Sequence, residues 1–121
     1  MTEQAICRGD IYYTYSASTI GSENDKARPA IIVSNDVNNR HSSVVEVVYL
    51  TSSHRKKPLP THVPIRTALC PSVALCEQVD SVSTLRLENL IGHCTEQEMA
   101  AVDEALKISL GLVPSWRDKI N

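Results

Sequence analysis

No stretch of this sequence approaches the roughly 20 consecutive apolar residues that a membrane-spanning helix needs. Residues 1–9 also lack the hydrophobic run of a secretory signal, so a cytoplasmic protein is expected. Internal repeats, low-complexity tracts and linkers are missing. So is any Cys-x-x-Cys pair among Cys7, Cys70, Cys76 and Cys94, and thiols used in this way are expected to stay reduced and partly buried. A zinc site drawn from Cys70, Cys76, His93 and Cys94 would have a ligand spacing that matches no common structural pattern. The sequence contains no His-Glu-x-x-His, no Walker phosphate loop, no dinucleotide glycine pattern and no Gly-x-Ser-x-Gly. His93-Cys94 is a poor nucleophile–base pair, because adjacent strand residues point to opposite faces. Chemistry needing neither metal nor cofactor is the enzymatic option left.

A strongly basic character is absent too. The net charge of −2 excludes a broadly basic nucleic-acid coat, yet it averages two unlike halves. Residues 1–66 carry eight Lys/Arg against six Asp/Glu, and residues 67–121 carry four against eight. Positive charge concentrates at His54-Arg55-Lys56-Lys57, a local basic loop able to attract a phosphate backbone or simply to be solvated.

What is present suits one small domain. A chain of 121 residues, 42% hydrophobic, can build one core but not two. Residues 1–112 are expected to form the domain and 113–121 a polar tail. Residues 10–16 mix β-branched and aromatic types and read as a strand. Residues 17–27 read as a long loop, and Pro29 opens a short apolar strand through Val33. Asn35-Asp36 and Asn38-Asn39 mark a turn, and Val44 to Thr51 is the clearest strand. After the basic loop at 52–61, strands are expected at 62–66, 72–79 and 89–93, with a helical turn near 84–88. Many short strands before one helix indicate a compact all-β barrel or sandwich. That helix is well marked: Thr95 and Glu98 form a Thr-x-x-Glu capping box, and Gly111 stops it. Met99, Val102, Leu106 and Leu110 make a core-facing stripe at helical spacing.

Three polar groups end apolar strands, where a barrel presents side chains beside its loops. They are Arg28 before Pro29, Thr51-Ser52-Ser53 at the mouth of the basic loop, and Glu77-Gln78. An arginine can grip phosphate oxygens with two hydrogen bonds, and a carboxylate can accept a proton, so the set suits phosphoryl chemistry. Solvated strand ends would look the same.

At these residues the chain resembles the MazF/PemK family, and the likeness covers nearly its whole length. It is carried by Arg8-Gly9-Asp10-Ile11-Tyr12, Gly21-Ser22-Glu23 followed by Arg28-Pro29, Asn35-Asp36, Asn39-Arg40 and Leu50-Thr51-Ser52. Leu59-Pro60-Thr61-His62-Val63, Ser72 to Gln78, Arg86-Leu87, Ile91-Gly92, Val102-Asp103 and Leu110-Gly111-Leu112 continue it in order. The resemblance implies an SH3-like small β-barrel of the MazF/CcdB/PemK type with a C-terminal α-helix, and a homodimer with RNA across its interface. It also implies a toxin that cleaves single-stranded RNA at short motifs without a cofactor, and an antitoxin that blocks the site and supplies any contact with DNA. Carried over by position, Arg28 and Thr51 would be the catalytic pair and Glu23 would lie in a loop over the RNA. Ser53 and Glu77 would position groups or move protons. Ser22, Ser52, Ser53, His54, Arg55, Lys56, Lys57, Gln78 and Arg86 would contact RNA.

Two departures from the family pattern remove positive charge: acidic Asp80 stands where a basic residue is usual, and Leu75 where several members have arginine. They support an alternative, a non-catalytic module that binds RNA or joins its antitoxin as co-repressor. A topoisomerase-poisoning toxin on a related fold is a further alternative, and it would not need Arg28 with Thr51.

Overall fold

The computed structural model describes residues 5–15, 27–52 and 58–113. The strands are β1 (Asp10–Thr14), β2 (Arg28–Ile32), β3 (Val44–Thr51), β4 (His62–Ile65), β5 (Ser72–Ser83) and β6 (Leu87–His93). They form one antiparallel sheet in the order β4-β5-β3-β2-β1-β6. A short helix, α1 (Asp36–His41), connects β2 to β3, a 3-10 turn (Thr84–Arg86) connects β5 to β6, and α2 (Glu96–Ser109) follows β6.

Most expected elements are present within a residue or two, and two differ. The turn expected at residues 35–39 is the start of α1, with the Asn35 side chain accepting from the Asn38 backbone N–H at 2.8 Å. Asn and Asp favour helix N-caps and turns for the same reason, a short side chain that bonds the nearby backbone. The strand expected over 72–79 runs on to Ser83, because β5 has a second half paired to the start of β3.

β3 lies inside the sheet and is buried on both faces, which explains its nearly unbroken apolar run. On one face Ile11, Ile31, Val48, Leu50, Val63, Ile65 and Ala74 pack beneath Val102 and Ala105 of α2. On the other, Tyr12, Ala30, Ile32, Val45, Val47, Tyr49 and Val82 form a second cluster. The alternation of Val47 and Tyr49 with Val48 and Leu50 follows from the two-residue period of a strand. Hydrogen-bonded pairing does not close the sheet among the described residues: β4 and β6 are its edges. The edges nevertheless meet, since a Cβ on Gly92 of β6 would lie 2.1 Å from the Thr67 carbonyl oxygen just after β4. The sheet is thus curled as a small barrel is, and Gly92 is where it folds back on itself.

The capping box at α2 is complete. Thr95 Oγ1 accepts from the Glu98 N–H at 3.0 Å, and Glu98 accepts from the Thr95 N–H at 2.9 Å. Glu98 also receives the Arg66 backbone N–H and the Thr67 hydroxyl, each at 2.7 Å, so one carboxylate caps the helix and ties it to the chain leaving β4. At the other end Gly111 has φ +74°, and the N–H groups of Leu112 and Gly111 bond the carbonyls of Lys107 and Ile108 at 2.8 and 3.1 Å. This Schellman ending needs the left-handed conformation that glycine adopts without strain. Leu110 is not part of the buried stripe. It sits at the C-cap, 60% exposed, and Ala105 takes the inner position beside Val102, Met99 and Leu106. Among the described residues no helix is long and apolar enough to cross a membrane.

Candidate functional site

The pairing of Ala30 with Tyr49 and of Ile31 with Val48 sets the register of β2 on β3. Continued by two residues it places Arg28 opposite Thr51, on the face that carries Tyr49. The Arg28 guanidinium lies over the Tyr49 ring, Cζ 4.5 Å from its centroid. The ring is 5% exposed, and its hydroxyl donates to Asp80 Oδ2 at 2.7 Å. Asp80 Oδ1 takes the Ser81 backbone N–H at 2.9 Å. Burial first, then the bond to Asp80 and its charge, raise the Tyr49 phenol against the opposing charges of Arg28 and Arg86, to about 12 in all. At neutral pH Tyr49 is therefore a hydrogen-bond donor. No carboxylate among the described residues pairs with Arg28. On the β1 side its register partner is Thr14, fully buried, whose hydroxyl is the one enclosed side-chain polar atom among the described residues without a hydrogen-bond partner.

Glu77 and Gln78 do not end a strand. They lie inside β5, in an irregular stretch where, on the β3 side, the four residues Leu75–Gln78 span the single residue Tyr49 between the pairs Val48–Val79 and Leu50–Ala74. Such a bulge re-aims side chains. Glu77 Oε1 accepts from the Thr61 hydroxyl at 2.7 Å, and Glu77 Oε2 lies 3.1 Å from His62 Nε2. The Leu59 backbone N–H donates to His62 Nδ1 at 3.2 Å, so the ring proton sits on Nε2 and points at Glu77. Burial tends to raise the Glu77 pKa. The bonds from Thr61, its own backbone N–H and His62 outweigh that and hold it below the ordinary glutamate value.

The structure thus brings Arg28, Thr51 and the start of the following loop at Ser52 to one end of β2 and β3. Glu77 and the exposed Gln78 lie in the β5 bulge, and Arg86, in the 3-10 turn, is near enough for its charge to act on Tyr49. Ser22, Glu23, Ser53, His54, Arg55, Lys56 and Lys57 lie outside the described residues. Sequence reasoning did not single out Tyr49, Thr61 or His62. The signal for the last two was their place before an apolar strand in the same string, and Tyr49 gave none beyond an aromatic residue in a strand. Cys76 and Cys94 are buried, and burial foremost raises their thiols to about 12 and about 11, so neither is a ready nucleophile. No group of three or more His, Cys, Asp or Glu side chains among the described residues is arranged to hold a metal ion.

Comparison with known proteins adds a family. Residues 7–110 match the model of the PemK-like, MazF-like toxin of type II toxin-antitoxin system. The chain is 38% identical over 112 residues to endoribonuclease EndoA of Bacillus subtilis, covering 89% of this chain and 97% of that protein. It is 38% identical over 111 residues to endoribonuclease MazF of Staphylococcus epidermidis, covering 88% and 92%. Among solved structures it resembles an endoribonuclease in complex with its cognate antitoxin from Mycobacterial species. That match has a TM-score of 0.76 at 26% identity and covers 90% of this chain and 98% of that one.

Proposed function

Because this chain belongs to the PemK-like, MazF-like toxins of type II toxin-antitoxin systems, we propose that it cuts single-stranded RNA at a site built on Arg28 and Thr51. The observation that carries the reading is the state of Arg28. Its guanidinium is seated on a buried ring beside Thr51, with no described carboxylate neutralising it. A guanidinium presented in this way can bind a phosphate through its N–H groups.

The RNA supplies its own nucleophile. Its 2′-oxygen attacks the adjacent phosphorus, the bond to the 5′-oxygen breaks, and the products are a 2′,3′-cyclic phosphate and a 5′-hydroxyl. The 2′-hydroxyl proton passes to a base, and the leaving 5′-oxygen takes a proton. Arg28 stabilises the charge that builds on the phosphorane and donates toward the leaving oxygen, while Thr51 hydrogen-bonds the phosphate. The base is Glu23 or Glu77. The clasp of Thr61 and His62 around Glu77, which lowers its proton affinity, weighs toward Glu23. Ser22, Ser52, Ser53, His54, Arg55, Lys56, Lys57, Gln78 and Arg86 make up the RNA path. The reaction draws on no cofactor. Residues 1–112 act as one domain with 113–121 as a tail, in the cytoplasm and as a homodimer with RNA across the interface. An antitoxin with acidic and apolar residues blocks the groove at Arg28 and the basic loop, and contact with DNA comes only through it. The antitoxin-bound Mycobacterial neighbour supports such a partner.

The test is cleavage of a long, mixed-sequence single-stranded RNA in EDTA by the wild type, Arg28→Ala and Thr51→Ala. Discrete fragments with 5′-hydroxyl ends from the wild type, and loss of about 10²-fold or more in each variant, are expected. A folded wild type that leaves such RNA intact would overturn the reading in favour of a binding module, and a gyrase supercoiling assay would then test the topoisomerase alternative.

A further inference from the structure

Arg28 is a long side chain with many rotamers, and a cation that stabilises a phosphorane must be held in place before the reaction begins. In enzymes this is commonly done with a carboxylate, which occupies some of the guanidinium N–H groups and cancels part of its charge. Here the guanidinium rests on the face of Tyr49, a contact that uses no N–H donor. Tyr49 is itself fixed at both ends. Its ring is packed among Tyr12, Ala30, Ile32, Val45, Val47 and Val82, and its hydroxyl is bonded to Asp80 at 2.7 Å. Asp80 pairs with Val47, two residues before Tyr49 on β3, so it faces the ring diagonally on the same side of the sheet. Asp80 is in turn anchored by the Ser81 N–H. A phenol donating to a carboxylate is polarised, which makes its ring face more negative and a better seat for a cation.

We infer that Asp80 is a positioning residue for RNA cleavage, acting through Tyr49 to hold the Arg28 guanidinium in place by a contact that itself uses none of its N–H donors. Asp80 accepts the Tyr49 hydroxyl on the far side of the ring from the guanidinium, so it orders Arg28 through the ring and not by pairing with it. The inference rests on Arg28 being the phosphate-binding cation of the proposed reaction.

Three variants test it: Tyr49→Phe keeps the ring and removes the hydroxyl, Asp80→Ala removes the acceptor, and Asp80→Asn keeps an oxygen that can accept. On mixed-sequence single-stranded RNA, Tyr49→Phe and Asp80→Ala are expected to lower kcat about tenfold with KM within about twofold, the size of effect that a small displacement of a catalytic group causes. Asp80→Asn is expected to recover most of the rate. Relaxation of the Arg28 side-chain ¹⁵Nε in the free protein gives a second reading independent of turnover. Its order parameter should fall in Tyr49→Phe and Asp80→Ala and return in Asp80→Asn, while circular dichroism stays that of the wild type. Wild-type kcat in both Tyr49→Phe and Asp80→Ala, or an unchanged Arg28 order parameter, overturns the inference. So does a loss confined to KM or an Asn variant as poor as the Ala variant. If Asp80→Ala does not fold, Tyr49→Phe alone decides by the same two readings. Arg28→Ala separates the failures: if that variant cleaves normally the proposed function falls, whereas its inactivity beside a fully active Tyr49→Phe removes only the role of Tyr49 and Asp80.

Discussion

Thr14 and Arg28 face each other across β1 and β2, and their surroundings treat them oppositely. The arginine has a prepared seat, while the threonine hydroxyl is enclosed with nothing to bond. An unmet buried hydroxyl costs roughly 1–3 kcal/mol, so Thr14→Val, which exchanges it for a methyl group, is expected to stabilise the fold by about 1 kcal/mol. Thermal unfolding followed by circular dichroism checks this, and a lowered midpoint would mean that the hydroxyl is bonded. Arg28 and Thr51 were legible in the sequence because an arginine and a hydroxyl stood where apolar strands ended. Tyr49 was not legible, since an aromatic residue in a valine-rich strand reads as packing. Its second role depends on Asp80, 31 residues away, and Asp80 alone looked only like lost positive charge.

Local structure was the most readable at the level of elements. The Thr95–Glu98 capping box and the Gly111 stop bond within a few residues of themselves, so spacing was enough to place α2. The β5 bulge could not be read the same way. It exists because β5 pairs with β4 and with two registers of β3, information held in three separate segments. For the same reason Glu77 and Gln78 looked like a strand end. The further work of Glu98, bonding Arg66 and Thr67, was likewise tertiary. Burial tends to raise its pKa, but the backbone N–H groups of Arg66 and Thr95 and the Thr67 hydroxyl hold it below the ordinary 4.5. A carboxyl lowered on folding stabilises above its unfolded pKa, and the contribution is lost as pH falls through the folded value. Glu98→Gln should therefore cost about 1 kcal/mol at pH 7, a partly exposed group being screened by solvent. The gap to wild type should close as pH drops below about 4.5. Urea unfolding of both proteins at pH 7 and pH 3 measures it, and a gap that persists at the lower pH refutes the assignment.

For the molecule as a whole, the curl of the sheet is decided where its edges meet. Any side chain at Gly92 would run into the Thr67 carbonyl oxygen at 2.1 Å, and a backbone oxygen cannot turn aside as a flexible side chain can. Gly92→Ala is expected to lower stability by about 2–4 kcal/mol by forcing β6 away from the end of β4. A urea midpoint within error of wild type would show that the edges are free to part. The barrel character was legible from many short strands. Its point of closure was not, because Ile91-Gly92 carries no local mark of a long-range contact.

The second core cluster links this architecture to heredity. Tyr49 belongs to that cluster and is also the seat of Arg28, so the packing that holds the sheet together also aims the guanidinium. Changes at Val45, Val47 or Val82, none of which need touch RNA, can reach the reaction through the ring. Under selection for survival of an unopposed toxin, the stretch of gene open to inactivating lesions is therefore wider than the RNA footprint. Silent-looking exchanges of one aliphatic residue for another belong among the escape alleles.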